Sequence, residues 1–173
     1  LQHVTENDVI ALDASSTAHE LALLLPNIPL TVVTNALPAA AVLLPRENIS
    51  VFCTGGFLHG PSRSWVGSAA EAAFAGININ KLFLSTIGLD AQRGLSELDE
   101  PQARVKRRMI DLAQEVILLV DQTKLGRRAA VHLADLSAVD RIITDAAADD
   151  PFLARLRADG LSVESVRVAP PAV

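Results

Sequence analysis

Seven short apolar runs alternate along this chain with segments rich in Ala and Leu, and this alternation restricts the fold more than any other feature. The runs are nearly continuous in apolar residues, which is typical of strands covered on both faces. Strands that alternate with helices predict a three-layer, Rossmann-like α/β fold, with a mainly parallel sheet and helices on both faces. The predicted strands are 9–12, 30–33, 49–52, 82–84, 116–120, 141–143 and 163–166, and the predicted helices are 18–25, 38–44, 69–75, 101–114 and 151–159.

The length of 173 residues predicts one domain, over residues 1–168, because a chain of this size can bury roughly 70% of its unfolded surface in a single core. Glycines at 55, 56 and 60 surround a segment long enough to form a flap or small lobe at about 55–66. The Pro-rich end, 169–173, is expected to fray.

Composition argues against several classes of protein. The net charge of −5, the 3% aromatic content and the absence of Tyr disfavour nucleic-acid binding by this segment. No apolar run approaches the ~20 residues that span a bilayer, and no export signal is present, so we expect no membrane partner. The single Cys53 is expected to be a small core residue, and a lone thiol fits the reducing cytoplasm.

Polar side chains follow several of the predicted strands. After the first strand come Asp13, Ser15, Ser16 and Thr17, at the start of a helix whose free N–H groups and dipole can hold a phosphate. An ordinary helix N-cap is the alternative for these hydroxyls. No GxGxxG and no GxxxxGK[ST] sequence is present.

Three further strand ends contribute candidates. Thr34 and Asn35 follow the second strand, with helix capping as the alternative role. The run 120–126 ends an apolar strand in Asp121 and Lys124, and 83–90 is predicted to be a strand running into a Gly turn with Asp90 at its tip. Carboxylates at such positions can accept hydrogen bonds from sugar hydroxyls, and Asp90 is preferred here over the neighbouring acids Glu97, Asp99 and Glu100.

One helix carries a basic residue beside its apolar stripe. At about 100° per residue, Lys106 flanks the stripe of the helix after Pro101 and is the basic residue best placed to reach a pocket. Arg104, Arg107 and Arg108 are expected on its solvated face. The four His residues show no ligand spacing and no Ser-hydrolase elbow occurs, so neither a metal, a cofactor nor a catalytic residue is predicted.

The order of these motifs resembles the C-terminal sensor domain of DeoR-type bacterial transcription regulators. The resemblance rests on segments 12–17, 33–35, 55–56, 83–94, 105–110, 120–126 and 143–145, together with Gly67, and it covers nearly the whole chain. It implies a non-enzymatic, homo-oligomeric regulator, dimer or tetramer, that represses carbohydrate genes. It further implies a phosphorylated sugar or sugar alcohol as effector, and operator DNA bound only through an N-terminal helix-turn-helix that is expected to be absent from this chain.

The residues expected to bind the effector combine the strand ends with this resemblance. One departure is Ser15, where the family's phosphate loop usually has Gly, which allows close backbone approach to an anion. The ligand-binding residues are predicted to be Asp13, Ser15, Ser16, Thr17, Thr34, Asn35, Gly55, Gly56, Gly88, Asp90, Lys106, Asp121 and Lys124.

Two alternatives stand beside the sensor hypothesis. The sensor domain is similar to ribose-5-phosphate isomerase, which would make this chain a sugar-phosphate enzyme. That enzyme's glutamate base corresponds to Val105, which cannot accept a proton, so isomerase chemistry is disfavoured. The second alternative is an oligomerisation module in which the polar strand ends are only caps.

Overall fold

The computed structural model describes residues 1–166, and it has twelve strands and five α-helices in that range. The strands are β1 (Val9–Leu12), β2 (Leu30–Thr34), β3 (Ile49–Cys53), β4 (Phe57–His59), β5 (Ser64–Val66), β6 (Ile79–Leu84), β7 (Gly88–Asp90), β8 (Gly94–Glu97), β9 (Ala113–Val120), β10 (Val131–Ala134), β11 (Arg141–Thr144) and β12 (Ser162–Ser165). The helices are α1 (Ser16–Leu24), α2 (Leu37–Leu43), α3 (Ser68–Ala72), α4 (Glu100–Leu112) and α5 (Pro151–Ala158).

Seven of the strands form one sheet in the order β12-β11-β9-β6-β1-β2-β3, and every neighbouring pair is parallel. Apolar side chains from this sheet enter two separate cores. One core contains Ala18 and Ala22 of α1 with α2, and the other contains residues of α3, α4 and α5. The helices therefore cover both faces, and the predicted three-layer α/β fold is confirmed.

The strand order reverses beside β1. The chain runs from β1 to β2 and β3 on one side, and then returns to β6 on the other side before continuing outward through β9, β11 and β12. In open α/β sheets, ligands bind outside the carboxyl ends of the strands at such a switch point. The ends of β1 and β6 are thus the first place to look for a site.

Local capping explains where the helices begin. Asp99 precedes α4 and Asp150 precedes α5, and each carboxylate accepts a backbone N–H of the first turn, from Gln102 at 3.0 Å and from Phe152 at 2.8 Å. A proline follows each cap within the first two helical positions, where its missing N–H costs no hydrogen bond. Within residues 1–166, no helix combines the length and the apolar character needed to cross a membrane.

Two small antiparallel units were not predicted. β4 and β5 form a hairpin in the segment 55–66, and β7, β8 and β10 form a three-stranded sheet. The strand predicted at 82–84 ends at Leu84 as expected, but the predicted Gly turn is wrong, because Gly88–Asp90 is a separate strand of the small sheet. These short strands mix apolar residues with glycine or polar residues, so no continuous apolar run marks them in the sequence. The predicted frayed tail lies outside the described residues.

Cys53 is exposed, so its predicted place in the core is wrong. It ends β3, which is the edge strand of the central sheet, and Phe52 beside it is 41% exposed. An edge strand is covered less completely than its neighbours, so an apolar run there does not imply burial on both faces.

Candidate functional site

A cleft of about 260 Å³ lies over the carboxyl ends of β1 and β6, at the switch point of the sheet. It is lined by the β1–α1 turn, the loop after β6, the start of α4, the hairpin loop and the turn after β9. The lining residues are Ala14, Ser15, Ser16, His59, Pro61, Ser62, Ser85, Thr86, Ile87, Glu97, Leu98, Asp99, Gln102, Lys106 and Lys124.

The first turn of α1 forms one side of this cleft. Ser15 is the N-cap, and its Oγ accepts the N–H of Ala18 at 3.0 Å. The N–H of Ser15 itself donates to Oδ1 of Asp13 at 3.3 Å, so two of the four N–H groups at this helix end have partners and those of Ser16 and Thr17 remain. Ser16, the first helical residue, lines the cleft. The turn therefore offers backbone donors and the positive end of a helix dipole to an anion.

A buried cluster of three charges lies beneath the cleft. The Nζ of Lys106 is 2.9 Å from Oδ2 of Asp13 and 2.5 Å from Oε1 of Glu97, and it donates to the carbonyl of Ser85 at 2.9 Å. Burial alone would lower the pKa of Lys106, but the charges of Asp13 and Glu97 raise it above its ordinary value. One ammonium between two carboxylates leaves this cluster with a net charge of −1.

Asp13 also connects the cluster to the two strand ends of the switch point. Its Oδ1 accepts the hydroxyl of Ser15 at 2.6 Å, and its Oδ2 accepts the backbone N–H of Ser85 at 3.1 Å. The side chain is fully buried. Asp13 therefore holds the β1–α1 turn and the loop after β6 in register below the cleft, where it orients groups that line it.

The hydroxyl of Ser85 has no hydrogen-bond partner although it is buried. Ser85 is 1% exposed and lines the cleft directly above the charged cluster. A buried hydroxyl without a partner is destabilising by about 1–3 kcal/mol, and few such groups persist in folded proteins. This oxygen is available to a ligand.

The hairpin closes the cleft on a further side through a polar network. Nε2 of Gln102 donates to the hydroxyls of Ser62 at 2.7 Å and Ser64 at 2.6 Å, and Nδ1 of His59 lies 2.7 Å from the hydroxyl of Ser62. Gln102 lies one turn before Lys106 on α4, so the helix presents both side chains to the same cavity. The β4–β5 hairpin is thereby attached to the helix that carries the buried lysine.

The turn after β9 brings Lys124 into the cleft. Asp121 caps this 3₁₀ turn by accepting the N–H of Thr123 at 2.9 Å, and it lies 3.4 Å from Nζ of Lys124. Burial would raise the pKa of Asp121, but the hydrogen bonds from Thr123 and the charge of Lys124 lower it. Asp121 thus positions the turn, whereas Lys124 reaches the cavity.

Four of the thirteen predicted ligand-binding residues line the cleft, namely Ser15, Ser16, Lys106 and Lys124. Thr17 follows Ser16 in α1 but is not part of the lining. Thr34 and Asn35 are buried and bonded inward, since Thr34 donates to the carbonyl of Leu12 at 2.8 Å and Asn35 donates to that of Trp65 at 3.1 Å. Their ligand contact stays a prediction that the geometry does not favour.

The glycines and Asp90 lie away from the cleft lining. Gly55 and Gly56 connect β3 to β4, and Gly88 passes so close to Arg127 that a Cβ would lie 2.6 Å from its carbonyl oxygen. Asp90 of β7 pairs with Arg128 at 2.9 Å and accepts the backbone N–H of Gln92. Of the predicted strand-end residues Asp13, Asn35, Asp90 and Lys124, only Lys124 therefore lies in the lining of the cleft.

The pairing of Asp90 predicts a pH dependence of stability. The hydrogen bond from Arg128 lowers the pKa of Asp90 well below its ordinary value. A carboxyl whose folded-state pKa is lowered stabilises the protein above its unfolded pKa of about 3.9, and that stabilisation is lost as the pH falls toward the folded value. We expect the urea midpoint of Asp90→Asn to fall less steeply than that of the parent as the pH drops below 4. Near pH 7, the dependence of the midpoint on pH should be the same in both proteins. An unchanged acid limb would contradict this role.

Several lining residues were missed by the sequence argument. Glu97, Asp99 and Gln102 line the cleft, whereas the preferred acid Asp90 does not. The spacing of Gln102 and Lys106 by four residues was the one local signal for this helix face. His59 and Ser62 come from a hairpin whose position depends on long-range packing. Among residues 1–166, no group of three or more His, Cys, Asp or Glu side chains could hold a metal ion.

The fold and the cleft define a class of protein: a doubly wound α/β domain with a polar strand-end cavity at the switch point, where such domains bind small molecules. Comparison with known families identifies it further. The family model of the DeoR C-terminal sensor domain matches residues 1–146, and the chain belongs to this family. The resemblance inferred from the motifs is confirmed.

Curated relatives are transcription regulators. The chain is 42% identical to the HTH-type transcriptional regulator YulB of Bacillus subtilis, over 95% of the chain and 64% of that protein. It is 34% identical to the L-fucose operon activator of Haemophilus influenzae and 30% identical to the glycerol-3-phosphate regulon repressor of Escherichia coli, over 84% of the chain and 58% of each relative. The chain thus spans about 60% of the length of these relatives.

A solved structure of D-ribose-5-phosphate isomerase in complex with phospho-erythronic acid has the same fold. The TM-score is 0.52 at 16% identity, over 72% of this chain and 49% of that one. Identity at this level shows the fold alone. Carboxylates of Glu97 and Asp99 do lie in the cleft, so their presence does not separate a sensor from an enzyme. The family and the relatives distinguish the two, because they are transcription regulators rather than enzymes.

Proposed function

We propose that this chain is the effector-binding domain of a DeoR-type transcription regulator of carbohydrate metabolism, and that its switch-point cleft binds a phosphorylated sugar or sugar alcohol. The observation that carries the proposal is the buried, unpartnered hydroxyl of Ser85, which lines the same cavity as the first turn of α1. A ligand hydroxyl in the cleft gives Ser85 the partner that the protein does not supply.

The phosphate is assigned to the first turn of α1. Free N–H groups, the helix dipole and the hydroxyl of Ser16 all favour an anion there. Lys124 supplies a positive charge from the neighbouring turn. The body of the sugar then lies over Ser85 and between Glu97 and Gln102, whose carboxylate and amide oxygens can accept from hydroxyl groups.

The regulatory step of this proposal concerns the longer protein. Relatives named for the fucose operon and the glycerol-3-phosphate regulon, and one named as an HTH-type regulator, support a sugar-responsive regulator. We place its helix-turn-helix at the N-terminal side of this domain and the protein in the cytoplasm. Ligand binding would shift the population of sensor arrangements and so change operator affinity. Large exposed apolar side chains, including Phe57 at 81% and Leu44 at 84%, support action as a homo-oligomer, dimer or tetramer.

Calorimetry of this chain against a panel of sugar and polyol phosphates tests the proposal. We expect at least one member to bind, and Lys124→Ala to weaken its binding roughly 10- to 100-fold, because a charge-assisted hydrogen bond contributes about 1.5–3 kcal/mol. Ser85→Ala should also weaken binding, with no loss of stability, since its hydroxyl has no partner in the protein.

A matched control is Lys81→Ala. Lys81 also pairs with an aspartate, Asp8, at 2.5 Å, but it lies on β6 near the amino ends of the strands, away from the cleft. We expect its affinity to equal that of the parent. The proposal is wrong if no phosphorylated sugar binds, or if Lys124→Ala and Ser85→Ala both bind as tightly as Lys81→Ala.

A further inference from the structure

We infer that this cleft accepts only one anionic group, and that it therefore selects neutral phosphorylated sugars and polyols over phosphorylated sugar acids with the same carbon skeleton. This inference rests on the proposed function, because it assigns the chemistry of the ligand end that lies away from the phosphate. It is carried by the distribution of charged side chains along the cavity.

The cavity extends past α1 into an adjoining hollow of about 230 Å³. The two share Ala14, Ser15, Ser16, Pro61 and Ser62, so the first turn of α1 lies between them. The lining of the adjoining hollow includes His19 and Arg63 and no acidic residue. An anion at the turn of α1 therefore has no carboxylate on this side.

The opposite part of the cleft is acidic. Glu97 and Asp99 line it, Asp13 lies directly beneath it, and Asp121 pairs with Lys124 at its edge. Two lysines, Lys106 and Lys124, stand against these four carboxylates, which leaves a net charge of −2.

Neither lysine is free to neutralise a second anionic group. Lys106 already contacts two carboxylates and a carbonyl oxygen, and it is 5% exposed. Lys124 lies 3.4 Å from Asp121 and, under the proposed function, contacts the phosphate, so it is not available to a second anionic group. A ligand carboxylate in this part of the cleft would face Glu97 and Asp99, and like charges in contact weaken binding. A ligand hydroxyl at the same position can donate to these oxygens.

Two pairs of compounds, each with one carbon skeleton, test the inference by calorimetry: glycerol 3-phosphate with 3-phosphoglycerate, and glucitol 6-phosphate with 6-phosphogluconate. For each pair that binds, we expect the compound whose only charged group is the phosphate to bind at least about tenfold more tightly than the compound that also carries a carboxylate. Asp99→Asn and Glu97→Gln should each lower the ratio of the two dissociation constants roughly threefold or more, because each variant removes one of the repelling charges.

At least one of the two cleft variants is expected to keep the fold. Asparagine caps a helix about as well as aspartate, so Asp99→Asn retains the start of α4 even if Glu97→Gln weakens the buried cluster. Glu100→Gln is the matched control, because it removes one negative charge from the exposed first turn of α4, where Glu100 pairs with Arg107 outside the cleft. Its ratio should equal that of the parent.

The outcomes separate this inference from the proposed function. A sugar acid that binds as tightly as its neutral partner overturns the inference and leaves the proposed function standing. A preference for the neutral compound that both cleft variants leave unchanged overturns the assignment to Glu97 and Asp99. If neither pair nor any other sugar phosphate binds, both fail together.

Discussion

Lys106→Met is expected to lower the free energy of unfolding by about 3–5 kcal/mol at pH 7, because it leaves two buried carboxylates without their cation. Asp13 is fully buried and Glu97 is 5% exposed, so water can replace the lost ion pairs only in part. Methionine has a similar length, which keeps the packing loss small. Urea unfolding followed by circular dichroism measures the difference.

The control for this substitution is Lys81→Met, on β6 of the central sheet. Lys81 pairs with Asp8 alone, and both side chains are partly open to solvent at 19% and 14%. Such a pair contributes about 0–1 kcal/mol, so the control should lie close to the parent. A loss below about 1 kcal/mol for Lys106→Met as well would contradict the description of the cluster as a buried set of charges.

The same cluster predicts how the free energy of unfolding depends on pH. The pKa of Lys106 is raised in the folded state by Asp13 and Glu97, despite the opposing effect of burial. A raised folded-state pKa stabilises the protein fully below the unfolded value of about 10.4, and this contribution is lost as the pH rises through the folded value. The deficit of Lys106→Met should therefore be constant across neutral pH. It should shrink as the pH rises above about 10.4, where the contribution of the lysine is lost.

Gly94→Ala is expected to destabilise the protein by about 2–4 kcal/mol, through backbone strain and a direct clash. Gly94 begins β8 with a φ of +68°, and a Cβ there would lie 2.2 Å from the carbonyl oxygen of Ala134 and 2.9 Å from Cα of Asp135. Backbone atoms cannot rotate away as a flexible side chain can. The substitution should separate β8 from β10, which amide hydrogen exchange of the two strands reports.

Gly126→Ala separates the two causes of this loss. Gly126 has a similar φ of +70°, but nothing lies within 4 Å of the Cβ that would be added. It should lose only the conformational part, about 1–2 kcal/mol. Equal losses for the two variants would show that the clash at Ala134 contributes nothing. Because β8 carries Glu97 into the cleft, we expect only Gly94→Ala to weaken ligand binding as well.

Much of the fold could be predicted from the sequence, since all seven strands of the central sheet and all five helices were placed to within a few residues. The helix start at Ser15 and Ser16 was also predictable, because capping involves residues close together in the chain. The small strands β4, β5, β7, β8 and β10 were not, since they are held by pairing between distant segments.

Prediction of the site was less complete. Lys106 was recognised as the basic residue that could lean into a pocket, but its partners Asp13 and Glu97 come from two different sheets. Asp90 was preferred over Glu97 because Gly88 and Leu89 flank it at a predicted Gly turn. Which of the two acids reaches the cleft depends on how the small sheet folds back. That choice depends on the pairing of β8 with β10, which has no local signature.

By itself, the sequence determined the parallel α/β architecture, the family and the polar turn that opens α1, because periodicity, capping and strand burial act over a few residues. Only the tertiary structure decided the strand order, the position of the switch point and the identity of the residues around the cleft. Those depend on which elements pack together across the chain. This long-range packing leaves Cys53 exposed on the edge strand, places Lys106 between two carboxylates and leaves the hydroxyl of Ser85 without a partner.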